Sequence, residues 1–197
     1  MGKMRIIGLT GGCGTGKSTV AGLLAEKGGH IIDADKLTWE LQKPGASAYE
    51  EIVKWLGTDF LLEDGSLNRR KIAELVFNDK QALRKLNNIV HTKVAEEIKS
   101  SIELIESTHD EGFIVLDVPI PVEKGFLDTA DVIWVTVANN DIRVERLMAR
   151  MGISEQEAMN RINSQLSNWE YESLGDVVIE NEKGIEELKQ KVEEALD

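Results

Sequence analysis

Short apolar runs alternate with longer amphipathic segments along most of the chain. Each run holds three to six mostly apolar residues bounded by turn-forming or charged residues, which predicts a buried strand. The five runs begin at Ile6, His30, Phe113, Val132 and Val177. Segments with apolar residues at helical spacing follow several of them, at 19–27, 141–150 and 185–196. Strands that alternate with helices predict an α/β fold built on a parallel sheet.

A long middle stretch lacks any strand-like run and shows helical periodicity instead. Pro44-Gly45 and Glu63-Asp64-Gly65-Ser66 interrupt it as turn signals, and helices are predicted over 48–56 and 67–77. Asn78-Asp79 is expected to cap a long helix with one apolar stripe, formed by Leu83, Leu86, Val90, Val94, Ile98 and Ile102. We therefore predict a helical insertion over 36–107, within a three-layer core made of 1–35, 108–142 and 176–197.

Three arginines mark the segment 143–175, which we predict to be a helical lid. Arg143, Arg146 and Arg150 are spaced i, i+3, i+7 and so share one helical face. Met151-Gly152 interrupts this helix, and the capping box Ser154-Glu155-Gln156-Glu157 begins another that is expected to run through Leu166. We interpret Arg143 as a solvated residue that balances nearby glutamates, and Arg150, beside the glycine, as a phosphate contact.

A glycine-rich stretch, Gly11-Gly12-Cys13-Gly14-Thr15-Gly16-Lys17-Ser18, lies between the first predicted strand and the first predicted helix. It matches the pattern G-x-x-x-x-G-K-S of phosphate-binding loops, in the strand–loop–helix context that this motif requires. Backbone N–H groups of such a loop and the helix N-terminus bind phosphate oxygens, Lys17 neutralises the outer phosphates, and the Ser18 hydroxyl ligates Mg²⁺. We therefore expect a nucleoside triphosphate to contact Gly12, Cys13, Gly14, Thr15, Gly16, Lys17, Ser18 and Thr19.

Carboxylates follow two of the predicted strands. His30-Ile31-Ile32 leads into Asp33-Ala34-Asp35, and the run from Phe113 ends in Asp117. Ligands of parallel sheets bind at the carboxyl ends of strands, so these carboxylates are expected beside the phosphate loop. A helix N-cap or sheet-edge role for Asp33 is an equal alternative, whereas we interpret Asp35 as functional. Asp117 has the form of a second Mg²⁺-side motif, together with Ser18.

Two other polar positions differ in their relation to the strand ends. Asp131 precedes its strand, so it is expected at the opposite edge of the sheet in a structural role. Asn181 follows the last strand, and we expect it close to where a nucleotide base would rest.

Composition restricts the class of partner. The net charge of −12 argues against nucleic acid, because binding to phosphate backbones requires a basic surface. No apolar run approaches the ~18 residues of a membrane span, and the first residues lack a signal-peptide pattern. Cys13 is the only cysteine, which excludes an internal disulfide. We expect a cytoplasmic protein of 197 residues, without indication of its oligomeric state.

The order of these elements is typical of a small-molecule kinase. Such enzymes need a lysine and Mg²⁺ on the phosphates, an arginine near the transferred group and a carboxylate that orients the nucleophile. The candidates are Lys17, Ser18 with Asp117, Arg150 and Asp35. A kinase of another nucleotide or small metabolite is an alternative. So is a non-catalytic nucleotide switch, although the sequence lacks a guanine-specifying Asn-Lys-x-Asp.

The chain resembles the dephospho-coenzyme A kinases over nearly its whole length. The segments that carry the resemblance are Ile7-Gly8-Leu9-Thr10-Gly11-Gly12 with the loop, Ile32-Asp33-Ala34-Asp35-Lys36, Lys43-Pro44-Gly45-Ala46, Asp64-Gly65-Ser66-Leu67-Asn68-Arg69-Arg70, Val76-Phe77-Asn78, Leu86-Asn87, Asp117-Val118-Pro119 and Glu145-Arg146-Leu147-Met148-Ala149-Arg150. The Asp-Ala-Asp and Asp-Gly-x-Leu-x-Arg-Arg signatures are more specific than the phosphate loop.

The resemblance implies transfer of the ATP γ-phosphate to the ribose 3′-hydroxyl of dephospho-coenzyme A, with Mg²⁺. Asp35 would be the base or orienting carboxylate for that hydroxyl. The implied substrate-binding residues are Asp33, Arg70, His91, Asp117 and the lid residue Arg146. Arg150 would also belong to the lid, and Asn181 would lie near the adenine of ATP.

The sequence departs from the family pattern at four places. Cys13 stands where isoleucine is usual, Thr92 replaces proline, and Pro121-Val122-Glu123 replaces leucine-phenylalanine-glutamate. The segment 167–175 contains glutamates but no lysine or arginine. Cys13 lies beside a helix N-terminus and Lys17, which permits a redox-sensitive thiol; a small apolar filler is the favoured interpretation.

Overall fold

A computed structural model of the protein describes residues 3–118 and 129–196. Its strands are β1 Ile6–Gly11, β2 Gly29–Asp33, β3 Phe113–Asp117, β4 Val132–Val137 and β5 Val177–Glu180. Its helices are α1 Lys17–Glu26, α2 Ala34–Glu40, α3 Ser47–Leu56, α4 Arg69–Asn78, α5 Lys80–Thr108, α6 Asn140–Met151, α7 Glu155–Asn163, α8 Asn168–Glu172 and α9 Ile185–Leu196, with a short 3₁₀ turn at Thr58–Phe60. The departure at Pro121-Val122-Glu123 lies outside the described residues.

The strands form one parallel sheet in the order β2-β3-β1-β4-β5. All five strands predicted from the apolar runs are confirmed, and so is the α/β class. The register pairs Asp33 with Asp117 across β2 and β3, and Leu9 with Asp117 across β1 and β3. The two carboxylates therefore occupy neighbouring positions at the carboxyl edge of the sheet.

Helices cover both faces of the sheet. Trp134 packs with residues of α1 and α9, such as Leu24 and Leu188, on one face. Its strand neighbours Val135 and Val137 pack with Tyr171 of α8. Because successive strand residues point to opposite faces, α8 covers the face opposite α1 and α9. The predicted three-layer arrangement follows from this alternation.

Asp131 holds the opposite edge of the sheet, as predicted. Its Oδ2 accepts a hydrogen bond of 2.8 Å from the backbone N–H of Ile6, and its Oδ1 lies 3.2 Å from Lys3 Nζ. These bonds lower the pKa of Asp131, the backbone hydrogen bond from Ile6 being the largest cause. Asp131 therefore holds the first residue of β1, at the opposite end of this strand from the phosphate loop.

The segment 143–175 contains helices joined by the predicted signals. Gly152 ends α6 in the left-handed conformation, with φ of 65°, and Ser154 begins α7 with the predicted capping box. A second capping box, at Ser167 and Glu170, begins α8. The prediction that α7 runs through Leu166 is wrong, because the helix ends at Asn163. The side chain of Gln165 lies beyond the helix and accepts a hydrogen bond from the backbone of Cys13.

The chain divides into two compact units, Met1–Asp33 with Leu104–Asp197, and Ala34–Glu103. The first holds the sheet, the phosphate loop and α6–α9. The division places Asp35 in the second unit, whereas the sequence suggested a boundary after it. Among the described residues, no helix is both long enough and apolar enough to cross a membrane.

The second unit is helical and has its own apolar core. Buried Ile52, Leu67 and Ile72 pack together with half-buried residues from α3, α4 and α5. Asp79 caps α5, as predicted, because its Oδ1 accepts hydrogen bonds from two backbone N–H groups of the first turn. Val94, Ile98 and Ile102 of the predicted stripe are buried. Leu83 is exposed, and Ala82 is the buried residue at that turn.

Candidate active site

The phosphate loop connects β1 to α1 in the first unit. Gly14 and Gly16 have φ of 79° and 92°, a left-handed conformation that side chains with a Cβ rarely adopt. Gly16 is the N-cap of α1, so the helix begins at Lys17 as the motif predicts. The first turn of α1 presents Ser18 and Thr19 exposed at its surface. Alternating conformations of this kind turn successive N–H groups towards one side, where an anion can bind.

Lys17 is paired with a strand-end carboxylate. Its Nζ forms an ion pair with Asp117 Oδ1, and both side chains are largely buried. Burial raises the pKa of Asp117, the Lys17 ammonium opposes that rise, and the neighbouring charge of Asp33 adds to it. The structure thus brings together Lys17, Asp33 and Asp117, three of the predicted site residues, at one edge of the sheet.

Hard oxygen donors for Mg²⁺ surround this edge. Ser18 is exposed at the start of α1, and the carboxylates of Asp33 and Asp117 follow adjacent strands. Among the described residues, no group of three or more histidine, cysteine, aspartate or glutamate side chains is arranged to hold a metal ion. This donor set fits Mg²⁺, which uses one or two protein carboxylates and completes its coordination with water and substrate phosphates.

Arg143 corrects the prediction of a solvated residue. Its side chain is 1% exposed, and its Nε donates a hydrogen bond of 2.9 Å to the carbonyl of Cys13 in the phosphate loop. Its Nη1 donates to Asn140 Oδ1 at 3.2 Å and to Asn168 Oδ1 at 3.0 Å. Arg143 precedes the buried Leu147 by four residues, so the two side chains share one face of α6. This spacing was the sequence signal for the burial of Arg143.

Two other side chains that hold the loop carried no clear sequence signal. Gln165 Oε1 accepts a hydrogen bond of 2.7 Å from the backbone N–H of Cys13. Asn168 bonds Arg143 through its oxygen, and its Nδ2 donates to the carbonyl of Ala138 at 2.8 Å. The segment 167–175, which lacks basic residues, thus contributes Asn168 to the support of the phosphate loop.

Arg146 and Asn181 hold the next peptide units of the loop. Arg146 Nη1 lies 3.3 Å from the carbonyl oxygens of both Gly14 and Thr15. Asn181 is buried, its Nδ2 donates to the Thr15 carbonyl at 2.8 Å, and its Oδ1 accepts from Arg146 Nη2. Gly16 lies against Asn181, where an added Cβ would overlap the amide nitrogen.

A cavity of about 320 Å³ adjoins this part of the loop. Its lining combines loop glycines, arginines of α6 and the segment after β5: Gly14, Gly16, Thr19, Arg146, Arg150, Asn181, Lys183, Ile185 and Leu188. Arg150 is exposed on α6. The structure therefore places Arg146, Arg150 and Asn181, all predicted site residues, around one cavity beside the phosphate loop.

Cys13 is half-buried in the same loop. Its side chain packs against Val144, Leu147 and their apolar neighbours on α6 and α7. Its Sγ lies 4.0 Å from Arg143 Nη2. These contacts favour the interpretation of a small apolar filler, and the redox hypothesis stays a prediction.

The remaining predicted site residues belong to the helical unit. Asp35 lies in the first turn of α2, His91 is half-buried on α5, and Arg70 is exposed on α4 with its Nε 3.2 Å from Glu74 Oε1. Arg70 also lines a cavity of about 620 Å³ within this unit. The other lining residues are Trp39, Gln42, Lys43, Pro44, Leu62, Ser66, Leu67, Asn68 and Arg69.

Comparison with known proteins decides which family this site belongs to. The family model described as dephospho-CoA kinase matches residues 5–187. The chain belongs to the dephospho-CoA kinase family. The match covers both units, so the phosphate loop and the helical unit are parts of one family pattern. The resemblance found in the sequence is confirmed.

Two relatives with this name and one solved structure are similar to the chain over nearly its whole length. The chain is 40% identical to dephospho-CoA kinase of Carboxydothermus hydrogenoformans, over 95% of this chain and 90% of that protein. It is 42% identical to dephospho-CoA kinase of Fusobacterium nucleatum, over 95% of each. The crystal structure of TT1252 from Thermus thermophilus superposes with a TM-score of 0.81, at 32% identity, covering 99% of this chain and 97% of that one.

Proposed function

We propose that the protein transfers the γ-phosphate of ATP to the ribose 3′-hydroxyl of dephospho-CoA, the last step of CoA biosynthesis. The observation that carries the proposal is the family match over residues 5–187, on a chain whose loop lysine lies beside a strand-end carboxylate. We also propose that it works in the cytoplasm, where ATP is supplied, and that it needs no nucleic acid partner.

The donor ATP is proposed to bind the first unit. Its phosphates would contact loop residues 12–19, which include the left-handed glycines and the N-terminus of α1. The adenine would occupy the cavity of about 320 Å³, beside Asn181, Lys183 and Ile185. In this arrangement the Lys17 ammonium would leave the Asp117 carboxylate and pair with the outer phosphates. Both partners are anionic, and the phosphates carry more negative charge.

Mg²⁺ is proposed to be held by Ser18 and Asp117, with Asp33 beside them. When bound, it supplies charge neutralisation on the β- and γ-phosphates. With Lys17 on the phosphates, the Asp117 carboxylate would be free to hold the metal. The exposed lid residue Arg150, with Arg146 behind it, would stabilise negative charge on the transferred group.

The acceptor is proposed to use residues of the helical unit. Asp35 would accept a hydrogen bond from the ribose 3′-hydroxyl and orient it as the nucleophile. His91 and Arg70 would contact the rest of the acceptor, as the family resemblance implies.

The cavity of about 620 Å³ suits the long, partly apolar arm of dephospho-CoA. Trp39 and Leu62 present exposed apolar surface at the cavity, while Lys43, Arg69 and Arg70 supply cations for a diphosphate. Lys43 lies 3.8 Å from the centre of the Trp39 ring, which brings a cation and an apolar surface together. We therefore propose that this cavity binds the pantetheine arm and the adjoining diphosphate.

The release of ADP from Mg-ATP tests the proposal. It is measured in three parallel assays: with dephospho-CoA, with AMP and without an acceptor. Release that only dephospho-CoA stimulates is the expected result. Stimulation by AMP alone would indicate a nucleoside monophosphate kinase, and binding of ATP without acceptor-dependent release would indicate a nucleotide switch. Either result contradicts the proposed function.

A further inference from the structure

The outward carbonyl groups of the phosphate loop are held by three side chains. Arg143 binds the carbonyl of Cys13, and Arg146 binds those of Gly14 and Thr15. Asn181 supplies a second donor to the Thr15 carbonyl. Arg146 and Asn181 also line the proposed nucleotide cavity, whereas Arg143 does not. Arg143 is buried, so it offers no free surface to a nucleotide and contacts only the loop and its neighbours.

The geometry of the peptide bond gives this contact a consequence for phosphate binding. The carbonyl of Cys13 and the N–H of Gly14 belong to one planar peptide unit, and the structure contains no cis peptide bond in its described residues. In a trans peptide the two groups point in opposite directions. A carbonyl fixed on Arg143 therefore turns the Gly14 N–H to the other side of the loop, and Gly14 lines the nucleotide cavity there.

We propose that Arg143 is a positioning residue that aims the Gly14 N–H at the phosphates of the bound nucleotide. The proposal rests on the proposed function only in taking ATP as the ligand of the loop. Arg143 acts through the Cys13 carbonyl and does not touch the nucleotide itself.

The surroundings of Arg143 support a fixed rather than an adaptable contact. Its guanidinium group donates hydrogen bonds both to the loop and to two asparagines, Asn140 on α6 and Asn168, the first residue of α8. A lysine offers one flexible ammonium and cannot reproduce this set of hydrogen bonds. Both glycines that flank Cys13 leave room for the contact: a Cβ on Gly12 would meet Arg143 Nη2 at 2.5 Å, and one on Gly14 would meet the Arg143 backbone at 2.8 Å.

The peptide unit before Cys13 is held from both ends as well. Gln165 accepts from the Cys13 N–H, and the Gly12 carbonyl at the other end accepts from Thr15 Oγ1 at 2.8 Å. Both polar groups of the Gly12–Cys13 peptide are therefore bonded within the protein. Because this unit is fixed independently, loss of Arg143 frees chiefly the peptide between Cys13 and Gly14.

ADP binding tests the role of Arg143. Calorimetry and the amide NMR signal of Gly14 measure it in Arg143→Met, in Arg143→Lys and in the wild-type protein. We expect Arg143→Met to weaken ADP binding about tenfold, the size of effect that one lost buried hydrogen bond produces. The downfield shift of the Gly14 amide on ADP addition should be reduced in the same variant. Arg143→Lys should recover part of both. Arg84→Met, at an exposed position on α5, is the matched control and should bind as the wild type does.

Wild-type ADP affinity together with a wild-type Gly14 shift in folded Arg143→Met would overturn the proposal. If that variant fails to fold, Asn168→Ala removes one acceptor of the Arg143 fork, and unchanged affinity and shift there would overturn it equally. Since ADP binding requires no acceptor, the test is separate from the proposed function. A wild-type protein that binds ADP but does not phosphorylate dephospho-CoA would contradict the function and leave the Arg143 result standing.

Discussion

Lys17 and Asp117 form an ion pair between the first turn of α1 and the end of β3. The pair compensates a buried carboxylate whose pKa is raised by burial and by the nearby charge of Asp33. It also holds the loop lysine at the edge where the phosphates are proposed to bind. In the proposed function, binding of ATP exchanges this anionic partner of Lys17 for the outer phosphates.

Removal of Lys17 is expected to make stability depend strongly on pH. A carboxyl group with a raised pKa in the folded state favours folding at low pH, and this contribution is lost as the pH rises through the folded-state pKa. Lys17→Met removes the ammonium that opposes the rise, so the pKa of Asp117 should increase further. We expect a loss of about 3 kcal/mol at about pH 8, which shrinks towards about pH 4. Thermal unfolding as a function of pH measures it.

The double variant Lys17→Met/Asp117→Asn is the control for this effect. It has no ionisable group at position 117, so the additional pH dependence should disappear. A Lys17→Met variant whose loss of stability is the same at both ends of the pH range would contradict the account of the pair.

Asp131 should show the opposite dependence on pH. Its pKa is lowered by the hydrogen bond from Ile6 and by Lys3, so its contribution is present above the unfolded pKa and is lost as the pH falls through the folded pKa. Asp131→Ala should cost about 1 kcal/mol near neutral pH, because the side chain is partly exposed, and less below about pH 3, where only a neutral acceptor is lost. Asp131→Asn keeps an acceptor for Ile6 and should cost less. Equal losses at both pH values would be inconsistent with this role.

Asp35 is expected to be required for transfer and dispensable for binding of ATP. Asp35→Asn removes the proposed base or orienting carboxylate while it keeps the size of the side chain, so kcat should fall by about a hundredfold or more. The affinity for ATP should stay within about twofold of the wild type. Asp110→Asn, at an exposed position, is the matched control. Turnover close to the wild type in Asp35→Asn would show that the assignment is wrong.

The cavity of the helical unit predicts a selective loss of acceptor affinity. Trp39→Ala removes an aromatic wall and should raise KM for dephospho-CoA about tenfold, or about 1.4 kcal/mol, with KM for ATP unchanged. Trp169→Ala is the control, because Trp169 is 74% exposed and lines neither of the two cavities. Steady-state kinetics with each substrate varied in turn decide the matter. An equal rise in both KM values would contradict binding of the acceptor in this cavity.

Much of the fold could be predicted because its signals are local. Apolar runs located the five strands of the described residues, and the capping box at Ser154 and the cap at Asp79 located two helix starts. The position of the phosphate loop followed from its motif, and the parallel sheet placed Asp33 and Asp117 at one edge.

The support of the loop could not be predicted, because its partners are distant in sequence. Arg143 and Gln165 meet Cys13 across 130 and 152 residues, and no local spacing records such contacts. Arg143 looked like a surface arginine among glutamates because charge is usually solvated, yet the loop carbonyl and two asparagines satisfy its donors. The segment 167–175 lacks the cations of the family pattern, and its contribution is instead Asn168, which accepts a hydrogen bond from Arg143.

The position of the transferred phosphate tests the central claim most directly. Incubation with Mg-ATP and dephospho-CoA, followed by two-dimensional ³¹P–¹H correlation of the product, identifies the proton beside the new phosphate. A phosphorus signal correlated with the ribose H3′, in an amount equal to the ADP formed, is the predicted result. A signal correlated with H2′ or with the pantetheine arm, or release of inorganic phosphate with dephospho-CoA unchanged, would contradict the proposed function.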